Sequence, residues 1–392
     1  MPVNYLEIQS QIRELGRQAP QRERQRQQLR EEAQQLLNAY ARETGALRGR
    51  FNQALALNSN LRCAVPGEEA LDFHGSCPQQ TEPNVILAAD GSQINPDRHD
   101  RVEFGVVNVG VIRIRPGQRQ APQEIVRSSL LGYNELNTRE GPITEEIIAL
   151  MRDLRERSAL AELAADEDPP VVTLTDGPLE LFRDPKERPR FTELFNQYLE
   201  ELGKLADLHA VTAGYVDRPR SDLLVRLLEL VKLPDPDLRQ AGSLRPFHGV
   251  ADIDLFHDRL GPGERSAVFA IPSSSASSFT GRLALHFFYL NVGRPGKPYL
   301  TRVEMPAWVA NDPGLLDRLH SALVGQCLQM GSRPFPYAIH RAHEVAVVTR
   351  EEKEHLQSMI VAELMRAGIW ATETSNKQFH KDNSGNRTEY RP

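Results

Sequence analysis

The stretch Asn84-Val85-Ile86-Leu87-Ala88-Ala89-Asp90-Gly91-Ser92-Gln93 constrains this chain more than any other. An apolar run bounded by turn formers is a buried strand, and Asp90 stands where that strand leaves the core. A carboxylate there can face a metal ion. The pattern returns at Val171-Val172-Thr173-Leu174-Thr175-Asp176-Gly177-Pro178-Leu179, again a β-branched run closing on Asp-Gly. Either Asp-Gly alone reads as the commonest hairpin turn, with glycine taking positive φ. Both, however, follow a continuous apolar run rather than an alternating one, which marks strands covered on both faces. Adjacent central strands that each present one Asp at the same height bring two hard oxygen ligands together. Divalent cations need this, and phosphodiester cutting uses it.

A chain of 392 residues makes two to three domain-sized units, or one enlarged domain with helical additions. Its net charge is −6, so a nucleic-acid ligand needs a local basic groove and metal ions to overcome the overall sign. Composition therefore argues against a passive polycationic coat. Cys63, Cys77 and Cys327 are an odd count without metal-type spacing, which argues against a disulfide framework or zinc site and fits a reducing cytoplasm. The first residues show no basic-flanked apolar leader, and nowhere do about 18 apolar residues run together. The expectation is a soluble, cytoplasmic protein with no membrane contact.

Residues 1–61 carry Ile8, Ile12 and Leu15, then Leu29, Ala33, Leu36 and Tyr40, at spacings that predict amphipathic helices interrupted near Pro20. The stripe is thin, so this extension packs in cis on the body or against a second subunit. Residues 62–83, with Pro, Gly and two cysteines, read as a linker. After Asp90 comes a polar turn holding His99 and Asp100. The valine-rich run from Val102 to Ile114, broken by Gly105 and Gly110, then predicts two antiparallel strands built onto the first. A helix capped at Thr144 runs to about Ala165, with Ile147, Met151, Leu154, Ser158 and Ala161 as its core stripe. At about 100° per residue Glu156 lies well off that stripe, a position that is usually solvated.

A helix over 191–208 and a strand over 210–216 follow, an order that implies a crossover and parallel pairing in a mixed sheet. Arg218 and Arg220, at the end of that strand, can hold a phosphate or make a surface ion pair. Leu285–Leu290 and the strand through Arg302 read as edge strands, with Pro306 barred from a central ladder. Arg302 and Glu304, two apart, share a face and either pair with neighbours or contact DNA. Residues 371–392 have little to bury and read as a flexible tail.

Taken in order, several motifs resemble the NurA nuclease family from about Val85 to Glu363. They are Asp90-Gly91-Ser92, the segment Arg152 to Glu156, Asp176-Gly177-Pro178-Leu179, Asp254-Leu255-Phe256 with Pro262-Gly263-Glu264-Arg265-Ser266, the Arg302 to Val309 strand and Ala342-His343-Glu344. The resemblance implies an α/β, RNase H-like mixed sheet flanked by helices over residues 84–370. It places a third carboxylate on the helix before the second aspartate strand, here Glu156, with Asp153 and Glu146 open as substitutes. It makes His343 the site histidine, able to ligate metal or pass a proton to the leaving oxygen. It expects a tyrosine upstream, where Tyr337 and Phe335 both stand, the latter without a hydroxyl. Arg218 and Ser221 occupy the places of a lysine-type residue and a helix-starting serine.

The same resemblance implies Mn2+, with Mg2+ as the alternative, held by Asp90, Asp176, Glu156 and His343 in a two-metal scheme with ions about 3.5–4 Å apart. It implies DNA as substrate, 5′ to 3′ exonuclease and single-strand endonuclease action, a homodimer, and a HerA-type hexameric translocase as partner in DNA end resection and repair. Two rivals stand beside it: a catalytically silent adaptor that guides strands for the translocase, and an RNA-cutting enzyme of the same fold.

Overall fold

The apolar runs become strands and the mixed charged and apolar segments become helices in a computed structural model that describes residues 4–79, 83–97, 102–138, 141–181, 188–272 and 276–369. Helices α1 (Tyr5–Ala39) and α2 (Thr44–Leu57) come first. Strands β1 (Val85–Ile94), β2 (Gly105–Ile114) and β3 (Gln123–Leu131), helix α3 (Glu145–Ala165), strand β4 (Val171–Asp176) and helix α4 (Pro189–Asp207) follow. Then come strand β5 (Val211–Val216), helix α5 (Leu223–Lys232), strands β6 (Leu285–Asn291) and β7 (Leu300–Pro306), and helices α6 (Pro313–Gln329), α7 (Tyr337–Ala346) and α8 (Arg350–Arg366). The chain forms two compact units. One comprises Met1–Glu82, Gly177–Phe182 and Thr212–Phe335, the other Pro83–Asp176, Arg183–Val211 and Pro336–Pro392.

In the second unit β1 pairs antiparallel with β2 and parallel with β4, and β2 pairs antiparallel with β3. An antiparallel meander, a helix and a parallel strand on the far side of the first make the mixed sheet expected of an RNase H-like fold. Leu87, Val107, Val111 and Ile112 are fully buried in it, each such side chain contributing about 1.5–3 kcal/mol. Two expectations are corrected. The run from Val102 to Ile114 supplies one strand, with Gly110 in its middle, and the next antiparallel partner is β3. β3 is largely exposed, so it lacks the apolar signal of its neighbours. Asp90 does stand where β1 passes from buried to half-buried residues, but no turn follows at Asp90-Gly91: the strand stays paired with β2 through Ile94.

Helix α3 begins after Thr144 and ends at Ala165, the predicted bounds, although the Thr144 hydroxyl makes no capping hydrogen bond and accepts from Arg188 instead. Its buried face is wider than the stripe, however, and takes in Glu156 and Arg157. The reason is that β1 and β2 cover one side of the helix and α4 another. After α7, Val348, Leu356 and Ile360 pack on Ile94, Phe104 and Val106.

In the first unit β7 lies between β6 and β5, antiparallel to both. It is therefore not an edge strand. Pro306 is tolerated because it takes the last position of β7 and opens a one-turn helix. The stretch read as a linker is pinned to this sheet: Val65–Pro66 pairs with Phe269–Ala270, and His74–Gly75 with Arg265–Ser266. Helix α1 continues through Pro20 rather than restarting there, since the residues around it are solvent-facing and the loss is confined to one turn. Among the described residues no helix is long and apolar enough to cross a membrane. His99, Asp100 and the tail 371–392 lie outside the described residues.

Candidate active site

Strand alternation decides which side chains meet in the second unit. Along β1, Ala89 and Gly91 face one side of the sheet, Asp90 and Ser92 the other. Asp90 lies opposite Gly110 of β2, and a Cβ on Gly110 would run into Val345, Ala342 and Ala346 of α7. The face of Asp90 is thus the face of α7. The end of α7 is fastened there, because the Ser92 hydroxyl and the Asn108 amide both donate to the Ala346 carbonyl, at 2.5 and 2.8 Å. Ser128 in turn donates to Asn108 Oδ1 at 2.6 Å. A helix C-terminus needs such donors for its open carbonyls.

With α7 so placed, His343 Nδ1 lies 2.7 Å from Asp90 Oδ2, while Asp90 Oδ1 accepts the Gly91 N–H at 2.8 Å. The imidazole is 63% exposed, so the pair orients His343 more than it stabilises the fold.

Asp176 is the last residue of β4. The parallel register pairs Ala89 with Thr175, so Asp90 and Asp176 come next on neighbouring strands, whose backbones run about 4.8 Å apart. The Thr175 hydroxyl accepts from Arg157 of α3. Thr175 therefore faces α3, and alternation turns Asp176 to the side of Asp90.

On the opposite face α3 comes so close that a Cβ on Gly91 would lie 2.5 Å from Arg152 Cγ and 2.7 Å from Glu156 Oε1. The glycine serves this close approach and not a turn. Burial pushes the Glu156 carboxyl well above the usual carboxylate range, reinforced by the charges of Asp153 and Asp90 and opposed by Arg152 and Arg157. Arg152 holds Asp153 Oδ1 at 2.8 Å and stands 3.6 Å from Glu156 Oε1. Sequence reasoning missed Arg152 as the counter-charge, although its four-residue spacing to Glu156 was the available signal. Glu146 sits exposed in the first turn of α3. Of the three candidate acids on that helix, Asp153 and Glu156 are the ones gathered around Arg152.

Tyr337 opens α7 half-buried, and among the described residues its hydroxyl has no hydrogen-bond partner. Phe335, in the first unit, packs edge-on against Tyr215 with ring centroids 5.3 Å apart. The three candidate arginines also belong to the first unit. Arg302 is buried and pairs with Glu304 Oε1 at 2.6 Å, while Glu304 Oε2 accepts the Leu179 and Glu180 N–H groups. Its guanidinium thus lies inside the unit, where no DNA strand meets it. Arg218, at φ +43°, lies over the Tyr299 ring and donates to its hydroxyl at 3.1 Å. Arg220 is exposed.

Among the described residues no three His, Cys, Asp or Glu side chains converge closely enough to hold a metal ion as they stand. The donor set is nonetheless one of hard carboxylate oxygens, which suit Mg2+ or Mn2+. A buried Glu156 beside two further acids is a place short of positive charge, and Arg152 now meets part of that need.

Comparison with solved structures finds the NurA nuclease from Sulfolobus solfataricus at 13% identity, covering 87% of this chain and 95% of that one, with a TM-score of 0.47. The catalytic domain of human endonuclease V is found at 13% identity, covering 81% of this chain and 98% of that one, with a TM-score of 0.31. LC9-RNase H1 is found at 14% identity, covering 51% and 92%, with a TM-score of 0.23. Comparison with curated proteins finds no match. The NurA domain profile matches residues 84–348, a span that contains Asp90, Glu156, Asp176, Tyr337 and His343 and more than half of the chain. On that match the chain belongs to the NurA family of nucleases.

Proposed function

We propose that this chain is a metal-dependent deoxyribonuclease, a 5′ to 3′ exonuclease on single- and double-stranded DNA and a single-strand endonuclease. It acts in the cytoplasm as a homodimer with a HerA-type translocase, in DNA end resection and repair. Residues 84–370 form the nuclease domain, and 1–61 supply dimer or partner contacts. The observation that carries the reading is the placement of Asp90 and Asp176 side by side at one height on one sheet face, with His343 on Asp90.

Asp90 and Asp176 would hold the cations from the α7 face with His343 beside them, and Glu156 would complete the set from the α3 side at Gly91. Bound Mn2+, or Mg2+ in its place, supplies Lewis acidity at the scissile phosphate. Asp90 keeps the His343 ring turned toward the cluster, so that His343 gives a proton to the 3′ oxygen as its bond to phosphorus breaks and the bond from water oxygen forms. A carboxylate of the cluster takes the proton from that water. The Tyr337 hydroxyl is available to orient the phosphate. Arg218 and Arg220 hold phosphates of the strand.

The test is cleavage of labelled single-stranded DNA with Mn2+ by wild type and Asp90→Asn, both shown to be folded. Cleavage that Asp90→Asn loses supports the reading. A folded wild type that does not cut DNA contradicts it and leaves the adaptor, while a preference for RNA in competition favours the ribonuclease.

A further inference from the structure

A basin of about 690 Å³ opens in the first unit, lined in part by Arg26 of α1, Arg220, Arg245 and His248 with Asp222 and Asp254. Both acids are already engaged. Asp254 pairs with Arg30 at 2.9 Å and accepts the Ala251 N–H at 3.0 Å, and Asp222 pairs with Arg245. Arg245 is also committed to Glu229 at 3.1 Å. Two guanidinium groups are left over. Arg26 has a 3.5 Å contact with Glu23, one turn away on its own helix. Arg220 is exposed and has no ion pair, hydrogen bond or ring partner among the described residues. Gly249, at φ +89°, has nothing within 4 Å of where a Cβ would stand, so the wall there is open.

We propose that this basin is a phosphate-binding subsite for a nucleic-acid strand, with Arg26 and Arg220 as its donors. The proposal rests on the nuclease reading above and adds to the phosphate contact given there to Arg220 a second donor, Arg26, and the basin that the two arginines share. The volume is that of a nucleotide-sized pocket, and guanidinium forks match the paired oxygens of a phosphodiester. A molecule with net charge −6 repels a polyanion unless uncompensated cations are gathered locally. Contacts of this kind fix the register of a strand without reading its bases.

The experiment is fluorescence anisotropy of a short labelled single-stranded DNA with the full chain, in EDTA so that nothing is cut, over a series of salt concentrations. Wild type is compared with Arg26→Gln, Arg220→Gln and Arg220→Lys. Each Gln variant is expected to bind severalfold more weakly and to lower the slope of log K against log salt by about 0.7, while Arg220→Lys keeps the slope. Unchanged affinity and slope in both Gln variants, at wild-type melting temperature, overturns the proposal. So does a wild type that does not bind the strand. If a Gln variant melts early, the comparison of wild type with Arg220→Lys under added inorganic phosphate decides. Competition for the strand by phosphate in both supports the subsite, and competition in neither overturns it.

A deoxynucleoside monophosphate arm separates the sources, since Gln variants that lose the free nucleotide and keep the strand also overturn it. Cleavage with Mn2+ is scored apart. Arginine-dependent binding without cleavage leaves the subsite standing and sinks the nuclease reading, and cleavage without arginine-dependent binding does the reverse.

Discussion

Asp90 stands opposite Gly110 in the β1–β2 ladder, and the missing side chain at Gly110 lets α7 bring His343 within 2.7 Å of that carboxylate. A Cβ at position 110 would lie 2.6 Å from Val345 Cγ2 and 2.7 Å from the Ala342 carbonyl oxygen. Gly110→Ala is therefore expected to lift α7 at a cost of about 1–3 kcal/mol and to lower nuclease activity with it. Thermal melting and DNA cleavage on the same preparation check this. Wild-type cleavage in the variant would show that the seat of α7 is not needed.

Two candidate acids of α3, Glu156 and Glu146, are expected to separate sharply. Glu156→Gln should lose more activity than the roughly 10–100-fold that removal of an outer partner costs, because Glu156 is the acid packed on Gly91. Glu146→Gln, in the exposed first turn, should stay within about twofold of wild type. Cleavage rates at saturating Mn2+ measure both, and the reverse order would move the ligand to the start of the helix.

Arg152 holds negative charge together before any cation arrives. Arg152→Gln leaves Asp153, Glu156 and Asp90 without their nearest guanidinium, so the metal-free protein should lose about 1–3 kcal/mol. Added Ca2+ should then raise the melting temperature of the variant by more than it raises that of wild type. Equal shifts in both proteins would show that Arg152 and the cation do not compete.

Two buried groups of the first unit give opposing pH dependence. Burial pushes the Asp252 carboxyl from 3.8 up to about 7, against the pull of its Tyr289, Val225 and Leu224 donors. The folded chain then keeps a proton that the unfolded chain releases. This stability is full below about 3.8 and is lost as pH rises through about 7, some 4 kcal/mol in all. Burial pushes His320, which lies 2.7 Å from the Gly263 carbonyl, from 6.5 down to about 4. Its contribution is full above 6.5 and is lost as pH falls through about 4, some 3 kcal/mol.

Between those limits the two slopes largely cancel. In Asp252→Asn the slope of His320 is left alone, so the stability of the variant relative to wild type should climb from pH 4 to pH 6.5. Urea unfolding across that range measures it. Parallel curves for the two proteins would contradict it.

Much of this was legible in residue order. The two apolar runs ending on Asp90 and Asp176 are adjacent strands, because burial on both faces leaves a continuous signature. The role of the glycine after each aspartate was not legible. Gly177 has the positive φ of a turn, whereas Gly91 is a mid-strand gap that admits Arg152 and Glu156. A one-letter code cannot tell a glycine chosen for its backbone from one chosen for lack of a side chain. Glu156 was obscured in a related way, since an helix covered on two sides has no single stripe from which to measure. The fastening of Ala346 by Ser92 and Asn108 could not be seen either, because it joins residues 254 and 238 positions apart.

The unit that holds the carboxylates is drawn from separated parts of the chain, and 166 residues lie between Asp176 and His343. At roughly 5–20 residues per second, a ribosome that has released β4 needs on the order of ten to thirty seconds more before α7 emerges. A nascent chain therefore carries its acids for that interval without the imidazole that Asp90 orients, and the pair forms only once translation has passed the last turn of α7.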